Sequence, residues 1–235
     1  MTSTDRGRVA TPHGGRGPAV SARGGRDDLP PVQIMSVGEL AEAAALVGDA
    51  LVEVPVFDWV LGESADDLAA RELLAEVLLA PMAAAGRMLG VRGSGDGRLV
   101  GVLAWQPPDE GSAPDPAALR ADAERLMARP GMARRLVELW RRDLMPAPAP
   151  TSVSIPIAAL APHSRGGDLL ASLVRPVEEY CTERDCSFYV WTGVEKLREA
   201  FARGWRLTEF DRVELGDGTA LYGLVSEIAP LAVRT

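Results

Sequence analysis

From Val32 onward the apolar positions fall into runs of two periods. VQIMS reads as a strand. Ser36, with Glu39 three residues on, then opens a helix through GELAEAAALVGDAL as a capping box. VFDWVL is a short apolar turn, and ADDLAARELLAEVLLAPMAAAG has helical periodicity up to Gly86, a residue suited to ending a helix. RMLGVRG and RLVGVLAW flank the turn SGDG and predict a β-hairpin. PPDEGSAPDP follows as a surface connection. DPAALRADAERLMARP and GMARRLVELWRRDLM then read as two helices divided at Pro130-Gly131. On the second, Leu136, Trp140 and Leu144 share one face and Arg134, Arg135, Arg141 and Arg142 the other, which is read as solvated.

TSVSIPIAAL predicts a strand. Pro156 cannot donate to a ladder, so an edge, a bulge or a splayed neighbour is expected there. The helix LLASLVRPVEEYCTERD, the strand SFYVWT and the helix VEKLREAFARG follow. WRLTEFDRVEL and TALYGLVSE close the chain around the turn GDG. The order β-α-α-β-β-α-α-β-α-β-α-β-β predicts a mixed α/β sheet, antiparallel at its start and end, with a strand–loop–helix–strand unit in the centre.

Composition narrows the picture. Residues 1–30 are rich in Gly, Arg, Ser and Pro and offer almost nothing to bury, so a disordered tail is expected there, with one domain over 31–229 and a short tail over 230–235. Within the 47% hydrophobic, 25% charged chain, the net charge of −8 argues against nucleic-acid binding as the main task. Cys181 and Cys186 form neither a zinc pattern nor a disulfide framework, which points to a reducing, cytoplasmic setting. No apolar run is long enough for a membrane span, and no secretory leader is read at the start.

The chemistry centres on PHSRGGDLLASLVRP, which begins like a phosphate-cradling loop feeding a helix. Asp168 and Leu170 stand where such a loop is normally small and uncharged. Asp168 is also well placed as a helix cap or first-turn acid.

Four segments, in this order, resemble the GNAT superfamily of acyl-CoA-dependent N-acyltransferases: VEVPVFDWVLGE, RLVGVLAWQPPDE, LAPHSRGGDLLASLVRP and VWTGVEKLREAFARGWRLTEF. The resemblance runs from about Val32 to Ser226. It implies a GNAT fold: a central, mostly antiparallel sheet whose middle strands splay, flanked by helices. It also implies a pantetheine arm laid along the strand before the loop, and acyl-CoA, typified by acetyl-CoA, as donor. On the family loop R/Q-x-x-G-x-G/A, the cofactor-binding positions fall on Leu160 at the strand end and on Arg165, Gly166, Gly167, Asp168, Leu169 and Leu170. Asp168 and Leu170 replace both small residues, so the loop is a divergent one. The family's tyrosine acid falls on Ala200 or Phe201, neither of which donates a proton, and its cofactor-holding Asn is matched by Glu195-Lys196-Leu197.

Glu53 and Asp58, flanking the entry turn, are candidate bases, and Ser154 on the central strand is a candidate for the cleft. His163, Thr192, Trp105 and Trp191 are possible cleft residues, although Phe201 reads as a core aromatic. The leading expectation is acyl transfer from acyl-CoA to a small-molecule amine. An acyl carrier protein or aminoacyl-tRNA as donor, and a catalytically silent binding domain, are the alternatives. No metal, DNA or membrane partner is expected.

Overall fold

The computed structural model describes residues 31–108, 121, 124–141, 145–165, 168–215, 218 and 220–227. The expected tails, most of PPDEGSAPDP and half of the helix after it lie outside the described residues, as do the side chains of Trp140 and Arg141 and all of Arg142 and Leu144.

Seven strands form one sheet: β1 (Val32–Ile34), β2 (Met88–Arg92), β3 (Leu99–Gln106), β4 (Val153–Leu160), β5 (Phe188–Thr192), β6 (Thr208–Glu214) and β7 (Ala220–Val225). Their order is β1-β2-β3-β4-β5-β7-β6, and every pairing is antiparallel except β4–β5. The helices are α1 (Leu40–Leu51), α2 (Pro55–Leu61), α3 (Leu68–Ala84), α4 (Pro130–Arg141), α5 (Leu169–Arg184) and α6 (Glu195–Gly204). No helix among the described residues is long and apolar enough to cross a membrane.

The helix ends follow their sequence signals. The Glu39 carboxylate accepts from both the Ser36 N–H and its hydroxyl at 2.9 Å, fixing a 3-10 turn that leads into α1. Asp67 caps α3 by accepting from the Ala69 and Ala70 N–H groups at 2.9 and 3.4 Å. Gly86, at φ +66°, lets the chain leave that helix in the left-handed region.

Two apolar layers cover the sheet. On one face, α1 to α4 bury Leu61, Leu74, Leu79 and Leu136 against Met88 and Ala104. On the other, α5 buries Leu173 and Val177 against Leu103, Phe188 and Leu224. Arg134 is exposed as expected, but Arg135 is half-buried, with its guanidinium against Gly62 where a Cβ would overlap it.

The feature that positions the site is an irregularity in β4. Ser154 pairs with Gln106 and Ile157 with Ala104, so Ile155 and Pro156 together oppose Trp105 alone. This is the bulge that Pro156 foreshadowed, and it flips the faces of the strand. Val153 and Ile155 point into the α5 layer, whereas Ile157 and Ala159 point into the opposite one.

Candidate functional site

Beyond Ser154 the two central strands part company. β4 and β5 pair only at Val153↔Phe188 and Ser154↔Tyr189, although β4 continues to Leu160. The Val153 N–H donates to the Ser187 carbonyl at 2.8 Å, and the Ala161 N–H to the Val100 carbonyl at 2.9 Å. The parallel register still engages Ile155, and alternation beyond the bulge turns the backbone groups of Ala158 and Leu160 toward the opening. Among the described residues these groups have no ladder partner on the β5 side. An unpaired strand edge of this kind suits an extended, amide-bearing ligand that joins as an added strand.

The opening holds a narrow cleft of about 100 Å³, walled by Ala50 and Leu51 of α1, Ala158 and Ala159 of β4, Thr192 of β5, and Leu197 and Phe201 of α6. It meets a larger chamber of about 390 Å³ on the α2–α3–α4 side. Val54, Phe57, Ile155, Pro156, Ile157 and Trp191 line both spaces, so the junction lies at the β4 bulge. Fourteen of the seventeen residues around the chamber are apolar; the polar three are Gln106, Ser154 and Tyr189. Those three are in register across β3, β4 and β5, which makes them one continuous row.

This architecture has solved counterparts. A Corynebacterium glutamicum protein described as histone acetyltransferase HPA2 and related acetyltransferase superposes with a TM-score of 0.59 at 17% identity, over 88% of this chain and 99% of that one. Arylalkylamine N-acetyltransferase 2 from Aedes aegypti gives 0.55 at 13% identity, over 84% and 98%. An N-acetyltransferase from Staphylococcus aureus Mu50 gives 0.50 at 10%, over 83% and 98%. The fold is the GNAT fold. No protein-family model matches the sequence, and no curated protein matches it.

Within the GNAT fold, the expected site residues separate into groups. Ser154 lines the chamber, half-buried. Glu53 and Asp58 are exposed and do not line it. Glu53 instead grips Arg165 bidentately, with Nη1 donating to Oε2 at 2.8 Å and Nη2 to Oε1 at 2.9 Å. The Arg165 Nε also donates to the Leu160 carbonyl at 3.3 Å. The candidate base and the candidate pyrophosphate cation thus hold each other, tying the α1–α2 turn to the β4–α5 loop across the cleft.

Gly166 and Gly167 lie outside the described residues. Asp168 occupies the N-cap position of α5, but its side chain makes no capping bond; its carbonyl accepts from the Ser172 N–H at 3.0 Å. Leu169 is buried in the core, so its side chain packs the helix and only its backbone is available to a ligand. Leu170 is half-buried and turns inward over a 30 Å³ hollow shared with Ala158, Val174 and Phe201. Packing thus explains Leu170, whereas the Asp168 carboxylate does not cap the helix as its position suggested and the helix start leaves it unexplained.

The aromatic residues also resolve. Trp191 is a cleft wall, held by its Nε1–H donating to the Pro146 carbonyl at 3.2 Å and by an edge contact with Phe210 at 5.4 Å. Trp105 belongs to the opposite layer, edge-on to Tyr180 and beneath the Arg87 guanidinium. Phe201 packs against Trp205 and also lines the cleft. Thr192 is buried, with its hydroxyl accepting from the Val194 N–H at 3.1 Å at the entry to α6. His163 is exposed. Cys181 and Cys186 are buried and free, and burial pushes the Cys181 thiol well above its ordinary range, which removes it as a nucleophile. Among the described residues no cluster of His, Cys, Asp or Glu is placed to hold a metal.

Sequence reasoning missed Gln106 and Tyr189. Each sits at a strand end, and only the registers that place them beside Ser154 mark them as chamber residues.

Proposed function

We propose that this protein is an N-acyltransferase that moves an acyl group from acyl-CoA to a small-molecule amine. The observation that carries this reading is the junction at the β4 bulge, where a narrow cleft with unpaired strand groups opens into a separate chamber. The residues fit a pantetheine thioester. Ala158 and Leu160 would pair with its amides, and Leu197 and Phe201 would cover its methylenes.

Amine attack forms the C–N bond and breaks the C–S bond, and the amine proton ends on the departing thiolate. Holding both reactants at one junction supplies much of the acceleration.

Calorimetry with acetyl-CoA, paired with thiol release in the presence of amines, tests the reading. Binding with amine-dependent thiol release is expected, and no heat at millimolar acetyl-CoA overturns it.

The Glu53–Arg165 pair favours a second reading, because the loop cation is already satisfied. On it, the acyl group arrives on a carrier protein or a charged tRNA whose body docks outside the cleft. Turnover with such a carrier while free acyl-CoA stays inert would select it.

A further inference from the structure

We propose that the acceptor is an arylamine: an apolar aromatic body carrying an amine that is uncharged at neutral pH, with its nitrogen at the Gln106–Ser154–Tyr189 row. This deepens the acyltransferase reading and rests on it. The argument begins with space. The cleft is about 100 Å³ and the chamber about 390 Å³, so the bulky partner of the reaction belongs in the chamber.

Its walls are hydrocarbon, thioether and aromatic: Phe57, Met82, Leu139 and Trp191 face one another around it. Trp191 is fixed by its hydrogen bond to Pro146 and its contact with Phe210, so it is a preset flat wall rather than an adaptable one. A flat, apolar substrate fits such walls without ordering them further.

Charge decides the rest. The polar row offers one carboxamide and two hydroxyls, and among the described residues no ionisable carboxylate or base lines the chamber. Neutral groups hydrogen-bond a neutral NH2 well but do not compensate a buried ammonium. An alkylamine with a pKa of about 10 is neutral in only about one molecule in a thousand at pH 7. An arylamine arrives neutral and loses its proton only after attack, to the leaving thiolate. Among the described residues, a carboxylate or a second ammonium on the acceptor would meet no charged partner lining this chamber.

Three measurements on the full chain test this. Binding of para-butylaniline, followed by tryptophan fluorescence, should saturate and should lose most of its signal in Trp191→Phe. In thiol-release assays with acetyl-CoA at neutral pH, para-butylaniline should exceed para-butylbenzylamine and spermidine by about 100-fold, and the benzylamine rate should rise about tenfold per pH unit as its free base accumulates. Leu78→Glu, or Val77→Glu should the first variant fail to fold, places a carboxylate on the chamber wall and should swing the ratio toward benzylamine by about tenfold or more.

Faster turnover of spermidine or an amino acid, a flat benzylamine profile, or no aniline binding overturns the inference while leaving acyl transfer in place. Aniline binding without any acetyl-CoA binding overturns the acyltransferase reading and keeps the ligand class.

Discussion

Glu39 shows how one side chain can serve two structures. Its carboxylate accepts from the Ser36 backbone and hydroxyl and also takes Arg92 Nη2 at 3.0 Å, while the same guanidinium grips Glu42. The Ser36 backbone bond first, then Arg92, holds its pKa at about 2 instead of the ordinary 4.5. A carboxyl depressed by folding stabilises the fold above its unfolded pKa and loses that contribution as pH falls through the folded one. The window is therefore from about 4.5 down to about 2. Thermal midpoints across that window should fall more steeply for the wild type than for Glu39→Gln, and the two curves should converge at the acid end. Parallel curves would show that the depressed carboxyl adds nothing.

The Glu53–Arg165 pair raises a different question at the same scale. Both groups are about half exposed, and such pairs are worth roughly 0–1 kcal/mol. Glu53→Ala should release Arg165 toward the donor's phosphates and tighten acetyl-CoA binding by up to about fivefold by calorimetry. Were Glu53 the general base, kcat would instead drop by about 100-fold or more with the dissociation constant unmoved.

At the scale of elements, most of the fold was legible because each helix and strand carries its own periodicity and its own stop. Pro156 even announced the β4 bulge, since a residue without an N–H breaks a ladder wherever it sits. Cross-strand register was not legible, because no local pattern encodes which residues of β3 and β5 flank Ser154. For that reason Gln106 and Tyr189 carry no local signal as chamber residues, and the Glu53–Arg165 pair, joining two loops far apart in sequence, is equally a long-range contact that no local pattern encodes.

Packing between strands was equally hidden. Gly223 pairs with Trp191, and a Cβ there would lie 2.7 Å from the Phe210 ring and 2.9 Å from the indole. Gly223→Ala must push one ring aside, at a cost of about 1–3 kcal/mol in stability. Because Trp191 lines both the chamber and the cleft, the same change should raise the KM for the amine and for acyl-CoA several-fold each. An amine KM left unchanged would place Trp191 outside the acceptor site.

For the whole molecule, charge separates the two possible donors. Residues 1–30 carry five Arg against three Asp, a balance of +2, so the remaining chain carries −10 of the net −8. Free acyl-CoA is itself a polyanion and approaches this field against long-range repulsion. That repulsion is screened over a Debye length that shrinks from about 30 Å at 0.01 M salt to about 10 Å at 0.1 M. Arg165, the cation at the loop, is largely spent on Glu53 and contributes little salt-sensitive attraction. The affinity for acetyl-CoA should therefore hold or improve, by less than about threefold, as salt rises over that range. A charged tRNA held through several phosphates would behave oppositely, with log affinity falling against log salt at a slope of about −0.7 to −0.9 per phosphate contact. Calorimetric titrations with acetyl-CoA across the salt series give the sign directly. A steep loss of acetyl-CoA affinity would mean that the protein presents far more positive potential to phosphate than the Glu53–Arg165 pair allows.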